Sequence, residues 1–376
     1  MTYHRTEART AYIEWAKLRA AARFNLAASG VQGLPLSELP VKLSDLELSA
    51  PGSYGYAPLQ ERLARRYGVS TENVVSAIGA SMANYLAMSA VLEPGDEVVI
   101  EDAAYDPLLE IARYLGAVIK RLPRRPENGF QIRVEDLEQV TSKKTRLVVL
   151  TNLHNPSGAF LEEETLRQIG EIARGSGARV LVDEVYLEML FDKPFRSAFH
   201  LGPHFLVASS LTKAYGLSGL RCGWVLAAPE LAERMWHQND LFGNIPAHIT
   251  ERLSVCALDN LEGISARAKG LLATNWKILD SFLAKHPELE VVRPLGGTII
   301  FPRVPSDDGD GFCKLLREKY ETSAVSGSFF EMPDRIRIGI GNASSEVEEG
   351  LNRVSQALRQ LQTNPTTFID RPTLPP

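Results

Sequence analysis

The chain has 376 residues, 44% hydrophobic and 23% charged, with a formal net charge of −5. This allows a sizeable core and two or three domains, and the acidic balance argues against a dedicated nucleic-acid binder. The three cysteines, Cys222, Cys256 and Cys313, form no CxxC pair and no metal-ligand spacing, which fits a reducing compartment and predicts no metal site.

In chain order, the N-terminal stretch MTYHRTEARTAYIEWAKLRAAARFNL is charged throughout and lacks the apolar centre of a secretory signal. No run of about 18 apolar residues follows, so a soluble cytoplasmic protein is expected. NVVSAIGA (73–80) reads as a strand entering a turn, and SMANYLAMSAVL as a helix. EVVIED is a strand, DPLLEIARYLG a helix closed by glycine, AVIKRL a strand, and VEDLEQV a short helix. TRLVVLTN is a nearly continuous apolar strand. EEETLRQIGEIARGSG, acidic first and glycine-rich last, suits a helix and its dipole. ARVLVDEVY, HFLVASS and CGWVLAA are further strands. Apolar strands alternating with helices predict an α/β fold, a mostly parallel sheet covered on both faces. Beyond about residue 230 long helices are expected, PELAERMWHQNDLFG and roughly 245–286. An α+β region follows, with LEVVRPLGGTIIFPRV, a helix near GDGFCKLLREKY, RIRIGIG and a last helix SSEVEEGLNRVSQALRQLQ. The end, TNPTTFIDRPTLPP, reads as an extended tail.

In a parallel sheet, ligands bind at the carboxyl edge of the strands. The unusual polar residues cluster there: Ser81, Asn155, Asp183, Ser210 and Lys213. Taken singly, each has a plain reading as a cap, a turn residue or a solvated lysine. Together they suit pyridoxal phosphate. A lysine amine must lose its proton near neutral pH to condense with the aldehyde, which burial and nearby positive charge promote. An aspartate must hold the ring nitrogen protonated, so that the ring withdraws electrons. The phosphate needs hydroxyls, a guanidinium and free backbone N–H groups.

SLTKAYGLSGLRCGW (210–224) resembles the lysine motif of the class I/II aminotransferases, the fold-type I pyridoxal-phosphate enzymes, with serine three residues before the lysine and arginine eight after. The resemblance covers about residues 25 to 345. It implies a three-layer large domain over 46–270 and a smaller α+β domain over 271–363 joined by the N-terminal segment 1–45, with a tail over 364–376. It also implies that Lys213 is the Schiff-base lysine and that Ser210 and Arg221 bind phosphate. VLVDEVY matches the strand carrying the ring-nitrogen acid, Asp183, with Tyr186 reaching the cofactor's phenolic oxygen; both are expected in catalysis. Positions 183 and 186 face opposite sides of a continuous strand, so the strand must end or bend between them. Glu184, on the other face, is the weaker acid candidate. HNPSG resembles the Asn-Pro-x-Gly turn, in which Asn155 binds the same oxygen and borders the substrate; His154 belongs to the turn. Gly79, Ala80 and Ser81 resemble the phosphate-binding turn at a helix start. Tyr105 falls where an aromatic stacks on the ring. Arg337 in RIRIGIG falls where the substrate carboxylate is bound, a site suited to a guanidinium fork; Arg335 shares its strand face. Gly30 resembles a glycine beside the substrate. In SYGYAPL, Tyr54, with Tyr56 as the other candidate, would cross to a partner subunit's phosphate. The family usually has glycine where this chain has Leu59, a departure at that pocket edge.

The reaction implied is transamination between an amino acid and a 2-oxo acid, in a homodimer with shared sites. β-Elimination, α-decarboxylation or ring closure on the same scaffold is the alternative. A non-catalytic pyridoxal-phosphate-binding regulator is the more distant alternative; some such regulators join this fold to a winged-helix module, which is not expected here.

Overall fold

The computed structural model describes residues 9–49, 52–243 and 245–363; the tail expected over 364–376 lies outside the described residues. Helix α1 (Ala11–Leu18), strand β1 (Phe24–Asn25) and helix α2 (Ala57–Tyr67) come first. Seven strands then build the large sheet: β2 (Val74–Ile78), β3 (Glu97–Asp102), β4 (Val118–Pro123), β5 (Thr145–Thr151), β6 (Arg179–Asp183), β7 (Phe205–Ser210) and β8 (Cys222–Leu226). Helices α3 (Gly79–Val91), α4 (Asp106–Tyr114), α5 (Val134–Val140) and α6 (Glu163–Ser176) connect them. The spatial order is β2-β8-β7-β6-β5-β3-β4, and β8 alone runs antiparallel to its neighbours.

Val148, Leu150, Val180 and Val182 bury on one face of this sheet, and Leu147, Val149, Leu181 and Leu206 on the other. Helices cover both faces, so the strands read as unbroken apolar runs rather than alternating ones. Each fully buried Val, Leu or Ile contributes roughly 1.5–3 kcal/mol. In α6, Glu163 and Glu164 occupy the first turn, Leu166, Ile169 and Ala173 are buried, and Gly177 ends the helix in the left-handed region.

After α7 (Pro229–Asn239), the long helical stretch divides into α8 (His248–Asp259) and α9 (Leu261–Leu283), because Asn260 leaves helical geometry at φ −113°, ψ 18°. The remainder forms β9 (Ile299–Ile300), α10 (Gly309–Tyr320), β10 (Thr322–Ser323), β11 (Val325–Ser326), β12 (Ile336–Gly339) and α11 (Ser344–Thr363). A small antiparallel sheet runs β11-β12-β9, while β10 pairs in parallel with β1. Leu26, Ile300, Ile338, Leu351 and Val354 share the apolar cluster of this part. The N-terminal segment bridges the two parts, since Val31 and Leu39 pack into the large-sheet cluster. Helix α9 does the same: Ile264, Ala268 and Leu272 belong to the large cluster, Leu279 and Phe282 to the small one. The boundary expected at 270 therefore falls inside a continuous helix. No helix among the described residues is long and apolar enough to cross a membrane.

Candidate active site

The parallel strands β5, β6 and β7 end at Thr151, Asp183 and Ser210, and these three residues border a cavity of about 160 Å³. Lys213 lies in the turn after β7. Its Nζ donates to Ser29 Oγ at 2.9 Å and sits 5.8 Å from the centre of the Tyr186 ring. Burial holds the lysine below its ordinary value, Arg337 and Arg221 add to the effect, and Tyr12 and Asp183 oppose it. The lysine turn is clamped from below. Arg66 donates to Tyr215 Oη at 2.9 Å and to Glu188 at 2.6 Å, and the Tyr215 hydroxyl closes the triangle on Glu188. Val31 N–H donates to the Lys213 carbonyl at 2.9 Å, which lays the N-terminal segment across the turn.

Strand β6 ends at Asp183, so Asp183 and Tyr186 both reach the cavity wall even though they would diverge on a longer strand. Burial raises the Asp183 carboxyl, while Asn84 Nδ2 at 2.7 Å, the Val185 N–H at 3.0 Å and Lys213 pull it back down. Glu184 points to different partners: it accepts from Ala198 N–H at 2.7 Å, and burial pushes it up to about 8. Tyr186 donates its hydroxyl to Ser29 Oγ at 2.9 Å.

Asn155 Oδ1 accepts from Arg337 Nη1 at 2.8 Å, and its N–H donates to Thr151 Oγ1 at 3.1 Å. Behind Thr151 lies an ion pair with both side chains fully buried, Arg124 to Glu101 at 2.7 Å; Glu101 also accepts the Thr151 N–H at 2.9 Å. Arg337 is itself buried. Its Nη2 donates to Tyr12 Oη at 2.8 Å and to the Ala27 carbonyl at 3.1 Å, and its Nε has no partner among the described residues. Arg335 turns elsewhere, donating to the Phe301 carbonyl at 3.0 Å. His154 is buried in its turn, bonded to Ser157 Oγ at 2.6 Å and the Ala103 carbonyl at 2.9 Å.

At the other end of the cavity α3 begins at Gly79, whose φ of 76° favours glycine. A Cβ there would run into the Arg221 guanidinium. No side chain caps this helix start, so its first N–H groups stay available beside Ala80, Ser81, Ser210 and Arg221. Tyr105 borders the same cavity, edge-on to Tyr12 with ring centres 5.7 Å apart. Gly30 lies with Ser29, Tyr12, Gln32 and Asn342 along an adjoining cavity of about 360 Å³ that also reaches Lys213. Tyr54 is not brought in: it is 51% exposed and donates to Asp240 Oδ2 at 2.9 Å. Leu59, where the family usually has glycine, is 2% exposed and packs into the large-sheet core.

Four residues of the site went unmarked in the sequence. Asn84 has the clearest signal, an amide on an α3 face otherwise made of Ala83, Leu86 and Ala87. Thr151, Ser29 and Tyr12 carry no local signal, because their partners lie 50, 184 and 325 positions away.

The matching family is described as Aminotransferase class I and II, and the match spans residues 44–354. The chain belongs to the class I and II aminotransferases. Pyridoxal phosphate is the cofactor of this aminotransferase, and amino-group transfer is its chemistry. Among its relatives, capreomycidine synthase of Streptomyces vinaceus is 31% identical over 350 residues, 90% of each chain. Aspartate aminotransferase of Pyrococcus horikoshii is 29% identical, with 78% of this chain and 77% of that one aligned. The crystal structure of a PLP-dependent aminotransferase from Streptococcus suis superposes with a TM-score of 0.89 at 26% identity, covering 94% of this chain and 98% of that one. The residues present fit the cofactor. The uncapped start of α3 faces Arg221 across a space that a Cβ at Gly79 would fill, and the buried Asp183 carboxylate and the half-buried Lys213 line the cavity beyond.

Proposed function

We propose that Lys213, Asp183 and Arg337 carry amino transfer between an amino acid and a 2-oxo acid, each in a separate role. The observation that carries this reading is their convergence: Asp183 and Lys213 on one cavity of about 160 Å³, with Arg337 bonded to Asn155 on its wall. Ser81, Ser210, Arg221 and the first N–H groups of α3, from Gly79 and Ala80 onward, would hold the phosphate. Asp183 would hold a proton on the ring nitrogen, Asn155 and Tyr186 would meet the ring's phenolic oxygen, and Tyr105 would lie on the ring face. When bound, pyridoxal phosphate supplies an electron-withdrawing ring that acidifies the Cα–H of an attached amino acid.

Arg337 would fork onto the substrate α-carboxylate, with Gly30 leaving room beside it. Desolvation of the Arg337 guanidinium makes such a pair stronger than it would be in water. Lys213 Nζ would take the Cα proton and give it back as general base and then acid, a role its lowered pKa suits. Replacing Lys213 with alanine is expected to abolish turnover of any amino acid with a 2-oxo acid acceptor; retained transfer, followed by oxo acid formation, would overturn the assignment.

A second reading is ring closure, favoured by the similarity to capreomycidine synthase. Cyclisation needs no acceptor, so product formation from one amino acid with and without an added 2-oxo acid separates the two. We also read the protein as a homodimer in which Tyr54, or Tyr56, serves the partner's phosphate site, which the exposure of Tyr54 supports. A cytoplasmic setting is supported by three free thiols, Cys222, Cys256 and Cys313.

A further inference from the structure

Ser29 is 6% exposed and lies where the N-terminal segment passes from the small sheet to the cavity wall. Its backbone is pinned, because Thr298 Oγ1 donates to the Ser29 carbonyl at 2.7 Å. Its Oγ accepts twice: from Lys213 Nζ at 2.9 Å and from the Tyr186 hydroxyl at 2.9 Å. A serine oxygen offers two acceptor positions, and both are taken. One small buried hydroxyl thus ties the reacting nitrogen to the phenol.

The charged and titratable groups facing the amine are Asp183 from the end of β6, Tyr186 just beyond it, Arg221 ahead of β8, Arg337 on β12 and Tyr12 on α1. Asp183 accepts from Asn84 and Val185, and Arg337 donates to Asn155, Tyr12 and Ala27. A free lysine side chain has four rotatable bonds and, untethered, would wander between the cavity and its neighbour. A fixed acceptor removes that freedom.

We propose that Ser29 is a positioning residue of the reaction: whenever the Lys213 amine is free, the Ser29 hydroxyl parks it beside Tyr186, poised to meet the substrate Cα proton. This rests on the reading of Lys213 as the proton-carrying base. An acceptor on an ammonium favours its charged form, so removing the hydroxyl makes the amine easier to deprotonate but leaves it loosely aimed.

The test compares Ser29→Ala and Ser29→Thr in the full chain. With the cofactor removed, acetylation of Lys213 by acetic anhydride is followed against pH by peptide mass spectrometry. Ser29→Ala is expected to lower the midpoint by ~0.5–1 pH unit, and Ser29→Thr, which keeps the hydroxyl, to restore it. In the loaded enzyme, Ser29→Ala is expected to lose about 10-fold in kcat with KM within about twofold. The isotope effect with Cα-deuterated substrate should rise, and Ser29→Thr should recover most of the rate. An unshifted acetylation midpoint in Ser29→Ala, or a kcat loss that Ser29→Thr shares in full, overturns the proposal. Turnover retained by Lys213→Ala is a different failure and strikes the base assignment itself.

Discussion

Two adjacent acids, Asp183 and Glu184, show how the environment divides labour between side chains of one chemistry. Asp183 has an amide, a backbone N–H and Lys213 to favour its charge. Glu184 has the Ala198 N–H and Ser197, but burial and the nearby Glu188 and Asp183 push it up to about 8. It is therefore held protonated in the folded chain at pH 7. A folded-state value above the unfolded one contributes stability below the ordinary carboxylate range, and this is lost as pH rises toward about 8. Glu184→Gln is expected to melt higher than the parent at pH 8, by at least ~1 kcal/mol of stability, and to differ little at pH 4. Thermal denaturation at the two pH values checks this. The sequence placed both acids on one strand and their side chains on opposite faces. What it could not supply was Asn84, 99 positions upstream, whose amide favours charge on one acid and not on the other.

Elements, more than single residues, bring the site together. β5 carries Thr151 to its carboxyl end, and the loop beyond holds Asn155 through that hydroxyl. The register of Thr151 is secured by Glu101 on β3, itself neutralised by Arg124 just past β4. Burial pushes Glu101 up and Arg124 down, so the pair is held by geometry rather than by easy charging. Arg124→Ala is expected to cost about 3–5 kcal/mol, because it strands a buried carboxylate. It should also loosen Asn155, so KM for the amino acid should rise in whatever folded protein remains; urea titration and steady-state kinetics measure the two effects. The strands, and the helices between them, were legible from apolar runs, glycine stops and acidic helix starts. The end of β6 at Asp183 was legible only as a condition, because a period of two forbids both 183 and 186 from facing one ring. The break at Asn260 was not legible, since the sequence on either side keeps a helical pattern.

At the scale of the whole molecule, two apolar clusters sandwich the large sheet, a third sits under the small one, and the segment around residues 24–34 stitches them together. That stitching puts Arg337 of the small sheet against Asn155 of the large one at 2.8 Å. The proposed homodimer adds one more level. If Tyr54 serves the neighbour's site, mixing Lys213→Ala with Tyr54→Phe chains should regain activity through hybrid dimers, each having one site with an intact lysine and an intact tyrosine. Activity should rise toward about a quarter of the parent value, as expected when half the dimers are hybrid and each has one competent site; a mixture no better than its two parts would refute shared sites. Period, turn chemistry and the lysine motif are local properties, written within about fifteen neighbouring residues, so the sequence by itself determined the α/β class, the succession of strands along the chain and the aminotransferase family. Which hydroxyl holds the lysine, which amide supports Asp183 and what packs around Arg337 depend on contacts between segments up to 325 positions apart. Only chain closure and packing into the apolar clusters decide those contacts, Tyr12, Ala27 and Phe330 meeting in one of them beside Arg337, because no local pattern encodes a partner that arrives from the far end of the chain.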